Sequence, residues 1–573
     1  MVIGHCEMSY LPMLITDDEL KQILLKVKLV DQKQFDEVAT YAKNSDLKLT
    51  DALIEKDILT DENLGVLIAD FKKMPFAVLG KISVPEDAFR IIPERLARKY
   101  KAIPFSRDKN GVKVAMADPT NVLIPEMIAR KTGQKVFTYL ATERDIYNKL
   151  FLYKRDLQKT FDSLVSEQVR SAGRGSSIEA PIAKIVQLIV QYAYQDRASD
   201  IHIEPEEKDT LVRFRVDGIL HDVLFLPAKL HEQISTRIKV LSSLRTDEHL
   251  APQDGKLRVA LDEENLDIRV SILPVLYGEK IVMRLLASHF RQFSLTDLGM
   301  SDKDLAKVTN AFKKSFGMIL STGPTGSGKS TSIYSVLKII NTREKNITTI
   351  EDPVEYRLKG VNQIQTNVKT NLTFASGLRS ILRQDPNVIL VGEIRDSETA
   401  GIAVNAALTG HLVLSTLHTN DAAGALPRLV DMNVEPFLVA STINVIIAQR
   451  LVRQICEMCK GSIDISSTQL LQNLPPDVIK KHFGTKKEVR TYQGKGCEVC
   501  HYTGYSGRLG IFEVLEVSNE IKKLINKGND ADSIVKQAIT DGMNTMLDDG
   551  IIKVMQGKTT VEEVLRVTKV ESL

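Results

Sequence analysis

The sequence contains no tryptophan, and aromatic residues make up only 6% of it. Surfaces that grip single-stranded nucleic acid stack bases on such rings, so their scarcity argues against one. An excess of charge of one sign is missing too. The 76 Lys and Arg against 73 Asp and Glu leave a net charge of +3, so nothing in the overall charge argues for a polyanion or an anionic membrane surface as partner. The most apolar window, residues 434–452, contains Glu435 and Arg450, so no membrane span is expected. The first residues lack a basic stretch followed by an apolar core and a small-residue cleavage site, and no secretory signal is expected. Five cysteines in 573 residues exclude a disulfide scaffold. At ~100–200 residues per domain, the length implies three to five domains.

What is present centres on residues 321–331, Ser-Thr-Gly-Pro-Thr-Gly-Ser-Gly-Lys-Ser-Thr. An apolar run (Gly317, Met318, Ile319, Leu320) precedes them, and apolar residues at helical spacing (Ile333, Val336, Leu337) follow. The pattern predicts strand, glycine-rich loop and helix. Between Gly323 and Lys329 the backbone N–H groups of Pro324's neighbours Thr325, Gly326, Ser327 and Gly328 can turn toward one centre, a cradle for phosphate. Lys329 is then expected to reach the β- and γ-phosphates of a nucleotide. Ser330 is expected to meet Mg²⁺, and the new helix, with Thr331 in its first turn, presents its positive end to the anion.

Two apolar runs downstream stop at carboxylates. Residues 346–355 end in Glu351-Asp352-Pro353-Val354-Glu355, and residues 388–396 in Gly392-Glu393-Ile394-Arg395-Asp396. Uninterrupted β-branched runs suit central parallel strands, whose carboxyl ends carry the ligand site. Glu393 is assigned mainly to Mg²⁺ and Glu355 mainly to the attacking water, with the two roles exchangeable. His411 and His418 bracket a further strand, and His418 is placed either as a γ-phosphate sensor or as hydrogen-bonded support. Cys456 and Cys459 form one C-x-x-C knuckle, Cys497 and Cys500 another. Four soft ligands in two knuckles predict a structural Zn²⁺ with no open coordination position. Cys6 is left over and expected to be inert.

Ahead of the loop, residues 16–75 repeat with a period of 29. Leu20, Leu24, Leu29 and Phe35 correspond to Leu49, Leu53, Ile58 and Leu64, which predicts two helix pairs. Residues 80–150 read as a small α/β domain, and residues 163–177, rich in Ser, Gly and Arg, as a linker. Val212, Phe214 and Val216 alternate with Arg213 and Arg215 before the turn Asp217-Gly218, so the two arginines share one sheet face. Arg284 stands in a similar strand. Such arginines are either solvated charge or contacts to the phosphates of a nucleotide held by a neighbouring subunit.

These motifs, in this order, resemble the secretion ATPase superfamily of type IV pilus and type II secretion systems over nearly the whole chain. The matching segments are the phosphate loop from Gly323 to Thr331, an acidic box from Thr349 to Glu355, the region from Arg379 to Asp396 and a histidine box from Thr409 to Asn420. The cysteine loop and residues 504–508 and 557–568 resemble the assembly members more than the retraction members. The resemblance implies a multidomain α/β chain. Residues 1–160 would form a helical-plus-α/β N-terminal region, 161–178 a flexible linker, 179–288 a PAS-like α+β domain, and 289–573 a RecA-like ATPase domain with the zinc loop at 456–500. It also implies ATP, Mg²⁺ and Zn²⁺, and a homohexamer at the cytoplasmic face of the inner membrane. The implied partners are a PilC-like platform protein and a PilM-like accessory protein, with no nucleic acid. Arg213, Arg215 and Arg284 match arginines that act across subunits. The implied function is pilus extension, with type II secretion as the alternative and nucleic-acid translocation as the alternative of a different class. Two departures stand out. Residues 249–256 read His-Leu-Ala-Pro-Gln-Asp-Gly-Lys where relatives often carry Lys-Arg before the Pro, and the repeat lacks the Arg-Leu-Gly starts that bind cyclic di-GMP in some relatives. A protein-docking role is therefore expected for the N-terminal region.

Overall fold

The computed structural model describes residues 15–45, 48–56, 58–153, 162–163, 182–261, 264–287, 294–472, 474–484, 486–497, 500–528 and 530–568. Cys6 and, apart from 162–163, the expected linker lie outside the described residues. The chain divides into two compact units, residues 1–153 with 335–345 and residues 154–334 with 346–573.

The first unit starts with helices Asp17–Lys26, Gln32–Ser45, Leu49–Glu55 and Asp61–Lys72. Thr16 opens the first with a capping box to Glu19, and Thr60 caps the fourth, each satisfying amides that a helix start leaves bare. Leu20, Leu24, Phe35, Leu49, Leu53 and Leu64 share one core, as the repeat predicts. Its third position differs. Both turns close alike, with Leu29 N donating to Leu24 O and Ile58 N to Leu53 O, yet Leu29 is 42% exposed while Ile58 packs against the core. The repeat is one of backbone rather than burial. Strands β1 (Ala102–Asp108), β2 (Gly111–Met116) and β3 (Val136–Leu140) follow, with β2 antiparallel to β1 and parallel to β3.

The second unit holds two large sheets. The first contains β4 (Asp200–Pro205), β5 (Asp209–Val216), β6 (Ile219–Pro227), β7 (Gln253–Ala260), β8 (Asn265–Val275) and β9 (Gly278–Leu286). It is antiparallel throughout, in the order β6-β5-β4-β9-β8-β7. Helix Ile182–Gln195 buries Ile185, Val186, Ile189 and Val190 in the same core as Val212 and Phe214 of β5, the one-stripe burial expected of an amphipathic helix. The second sheet contains β10 (Gly317–Thr322), β11 (Ile347–Glu351), β12 (Asn362–Gln365), β13 (Val388–Val391), β14 (Leu412–Leu417) and β15 (Ile443–Ile455). After these come the paired strands β16 (Lys460–Ser466) and β17 (Glu488–Gly494), and then β18 (Tyr505–Glu516), which closes the large sheet. The order is β12-β11-β13-β14-β10-β15-β18, parallel except for the β15/β18 pair. Every residue of β10, β13 and β14 is buried, which explains why they carry no charged residue. No helix among the described residues is long and apolar enough to cross a membrane.

Candidate active site

Parallel pairing brings the carboxyl ends of β10, β11, β13 and β14 to one edge. There β10 runs into the glycine-rich loop and then into helix Lys329–Ile340. Gly323, Gly326 and Gly328 have φ of 141°, 80° and 91°, values that L side chains rarely adopt. Space is also closed at two of them. A Cβ on Gly323 would lie 2.6 Å from Gln449 O, and one on Gly328 2.6 Å from Gln449 Nε2. Gln449, on β15, thus forms the back wall of the loop and accepts a hydrogen bond from Ser332 Oγ at 2.6 Å. Lys329 is buried, and its Nζ donates to Gly323 O at 2.7 Å and Pro324 O at 2.9 Å. Burial lowers the Lys329 pKa from its ordinary value, with Glu393 acting in the opposite direction. Pro324, Thr325, Gly326 and Ser330 are exposed. Ser327 Oγ and Gln449 Nε2 are buried and meet no partner among the described residues, a donor pair suited to an anion.

The two acidic strand ends are built differently. On β11, Glu351 accepts from Thr349 Oγ1 at 2.6 Å, Gln363 Nε2 at 3.2 Å and the Tyr334 hydroxyl, so its carboxylate is fully engaged. Glu355 is 41% exposed and pairs with Arg269 Nη1 at 3.2 Å, while Arg269 Nη2 donates to Val354 O at 2.5 Å. Glu393 is 12% exposed and pairs with Arg395 at 2.7 Å and with His418 Nε2 at 3.4 Å. His418 therefore sits at the nucleotide edge beside the acid assigned to Mg²⁺. His411, at the other end of β14, faces Ala406 O at 3.0 Å through Nδ1. Ser415 Oγ and Thr416 Oγ1 donate to Val391 O and Gly392 O, each at 2.8 Å, tying the histidine strand to the strand that ends in Glu393.

Cross-strand register lines up the arginines. Asp200 on β4 stands opposite Arg215 on β5 and Arg284 on β9, and Arg284 stands opposite Arg269 on β8. Directly opposed residues share a face, so Arg215, Asp200, Arg284 and Arg269 form one row. Asp200 holds Arg284 at 3.0 Å and Arg215 at 3.6 Å, and Glu204 holds Arg213 at 2.6 Å. Burial would raise the Glu204 carboxyl pKa, but Lys280 and Arg213 outweigh it and bring it below the ordinary value. Sequence reasoning found three of these arginines and missed Arg269, although alternation in β8 (Leu266, Ile268, Val270 and Ile272 buried) carries the same signal. It also missed Gln449, whose signal is an amide placed directly after the apolar run 445–448.

The four expected cysteine ligands meet. Their Sγ atoms all lie within 4.8 Å of one another, with Cys456 to Cys497 and Cys459 to Cys500 at 3.9 Å and Cys497 to Cys500 at 3.7 Å. A tetrahedral ion with Zn–S of ~2.3 Å sets neighbouring sulfurs about 3.8 Å apart. Backbone amides of Gly496, Cys497 and Gly504 donate to Cys459 and Cys500, the second shell that thiolates need. The donor set fits zinc.

A lysine buried inside a loop of glycine amides, with a half-buried acid after β13 two strands away in the same sheet, is the apparatus of phosphoryl transfer, and it places the chain among the P-loop ATPases. Residues 176–566 match the family described as Type II/IV secretion system protein, and the chain belongs to that family. Residues 73–153 match the MshEN domain. Among curated relatives, the Type IV pilus assembly ATPase PilB of Myxococcus xanthus is 38% identical over 562 residues, covering 95% of this chain and 98% of its own. The Type II secretion system protein E of Pseudomonas aeruginosa is 46% identical over 395 residues, covering 69% and 76%. The solved ATPase DotB of Yersinia pseudotuberculosis is 21% identical with a TM-score of 0.51, covering 67% of this chain and 93% of that one, and shares the fold.

Proposed function

We propose that the chain hydrolyses ATP as a ring of six copies at the cytoplasmic face of the inner membrane and so drives type IV pilus assembly through a platform protein and an accessory protein. The observation that carries this reading is the likeness to Type IV pilus assembly ATPase PilB over 95% of this chain and 98% of that one. Type II secretion system protein E relatives align over 69% and 84% of the chain, which supports a shared motor, and the longer alignment with the pilus protein favours pilus assembly.

In this reading Lys329, held inside the loop, turns its ammonium from the carbonyls of Gly323 and Pro324 to the β- and γ-phosphates. The Ser330 hydroxyl and the Glu393 carboxylate are hard oxygen donors that fit Mg²⁺, which when bound neutralises phosphate charge. Glu355 orients water, and Arg269 sets where its carboxylate points. Arg284, 62% exposed beside Asp200, is free to lean toward a nucleotide on a neighbouring copy together with Arg215 and Arg213. His418 reports the state of Glu393 to β14. The four cysteines hold a structural Zn²⁺. ATP hydrolysis by size-separated oligomer tests this. Wild-type turnover confined to the ring and lost in Glu393→Ala and Arg215→Ala supports it. Turnover by monomer, or an unchanged Arg215→Ala, defeats the cross-subunit role. Restoring pili, rather than secretion, to cells lacking the assembly ATPase separates the two biological readings.

A further inference from the structure

The turn joining β5 to β6, which follows directly after Arg213 and Arg215, is fastened to the tetracysteine module of the same chain. Asp217 and Gly218 both take left-handed conformations, with φ of 51° and 89°. Asp217 Oδ2 accepts a hydrogen bond from Gly507 N at 2.6 Å. Three residue pairs along the hairpin, opposite Phe214, the ring of His221 stacks on that of His501, with centroids 4.8 Å apart and planes 24° from parallel. His501 Nε2 lies 3.7 Å from Asp196 Oδ2 at the end of helix Ile182–Gln195. Inside the module, His501 follows the ligand Cys500, and Gly504 N donates to Cys500 Sγ while Gly504 O accepts from Cys456 N at 2.9 Å. Gly504 (φ 79°) crosses Gly494 so closely that a Cβ on either would meet the other's backbone. The path from sulfur to Gly507 is therefore short and rigid. On the far side of the turn, Arg215 Nη1 donates to Gly218 O at 3.1 Å.

We propose that the zinc module acts as a strut that positions the arginine hairpin, with Asp217 as the positioning residue through which it acts on Arg215. This rests on the reading of Arg215 given under Proposed function. A metal that holds four thiolates fixes the segment between Cys500 and Gly507. That segment fixes the turn, and the turn carries the carbonyl that holds the guanidinium. Without the ion the module keeps its connections to β15 and β18 but loses the geometry that aims Gly507 N and the His501 ring at the hairpin.

Two substitutions separate the hydrogen bond from the turn. Asp217→Gly keeps the left-handed turn and removes the acceptor, whereas Asp217→Asn tolerates the same conformation and keeps a carbonyl acceptor. Full-length protein with zinc bound, and after the metal is stripped by a chelator and quantified with a zinc indicator, is compared by hydrogen exchange of the peptide spanning 216–221. The expected result is roughly tenfold faster exchange in Asp217→Gly, the size of one hydrogen bond to a charged group. A similar rise is expected in stripped wild type, with no further rise on stripping Asp217→Gly and near-wild-type behaviour in Asp217→Asn. The kcat of Asp217→Gly should fall about fivefold with KM little changed, and Asp217→Asn should restore it. Exchange that ignores both the metal and the substitution overturns the strut. Faster exchange with unaltered kcat in Asp217→Gly, while Arg215→Ala is inactive, overturns the positioning role. An active Arg215→Ala defeats the arginine reading itself, and exchange then still decides the strut.

Discussion

In the proposed mechanism the phosphate loop and the arginine row both supply donors to phosphate, and they are assembled in opposite ways. The loop is one stretch of chain whose glycines and lysine lie within seven consecutive positions, 323–329. Its distant support comes from Gln449. The row takes one residue from each of four strands, and its arginines are kept in place by carboxylates, Asp200 in the middle and Glu355 at one end. A local device should fail completely when its one charged group is removed. A distributed device should fail by degrees, and partners should fail together.

The largest effect expected is that of Lys329→Ala. It removes the only ammonium that the loop itself supplies, and turnover should fall about a thousandfold or more. Stability should stay within about 1 kcal/mol, measured by denaturant melts, because the two carbonyls that Lys329 now holds can turn to water. Arg269→Ala comes next. Glu355 loses its anchor and the row loses its end, so kcat should drop about a hundredfold. Arg269→Lys should not recover it, since an ammonium cannot hold Glu355 Oε2 and Val354 O with the planar fork that the guanidinium offers. Arg269→Ala and Glu355→Ala should combine far less than additively, with a coupling above about 1 kcal/mol in a double-mutant cycle. Additive losses would mean that the pair is a surface contact and that the row ends at Arg284.

The same contrast accounts for what could be read from the sequence. The loop, the acidic strand ends and the C-x-x-C knuckles are runs of neighbours, and each was legible with its residues. The pairing of β8 beside β9 is a long-range choice that no run of residues states, so Arg269 stayed hidden although its alternation was visible. The departure at His249 was legible only as a difference. In the structure His249 Nδ1 lies 3.2 Å from Glu279 Oε2, and buried Lys239 pairs with the other oxygen at 2.6 Å, so a lysine from helix His231–Leu241 supplies the charge there. Glu351 shows the converse: it ends the same apolar run as Glu355, and only the fold reveals that Tyr334, Thr349 and Gln363 engage its carboxylate.

Gln449 gives a smaller effect that tests how local the loop is. In Gln449→Ala the Ser332 hydroxyl keeps its burial and loses its acceptor, which should cost about 2 kcal/mol in denaturant melts. Because the side-chain wall behind Gly328 also recedes while the backbone wall behind Gly323 stays, KM for ATP should rise several-fold while kcat changes less. An unchanged KM would show that the loop holds its shape without β15.

The smallest effect lies four residues further along β15. Arg453 N and Nη2 donate to Glu563 at 2.9 and 2.6 Å, and Arg566 Nη2 donates at 2.8 Å. Burial alone would raise the Glu563 carboxyl, but the bonds from Arg566 and Arg453 outweigh it and bring its pKa to about 2. A carboxyl held below its unfolded value stabilises the fold while it is ionised, so its contribution is complete above the ordinary carboxylate range and is lost as pH falls from about 4.5 toward 2. Exposure of Arg566 limits that contribution to on the order of 1 kcal/mol. In Glu563→Gln, melts followed across this interval should show a correspondingly flatter pH dependence, with kcat at neutral pH unchanged. If kcat fell as well, the anchor at Arg453 would reach the loop through Gln449, and the phosphate loop would be as distributed a device as the arginine row.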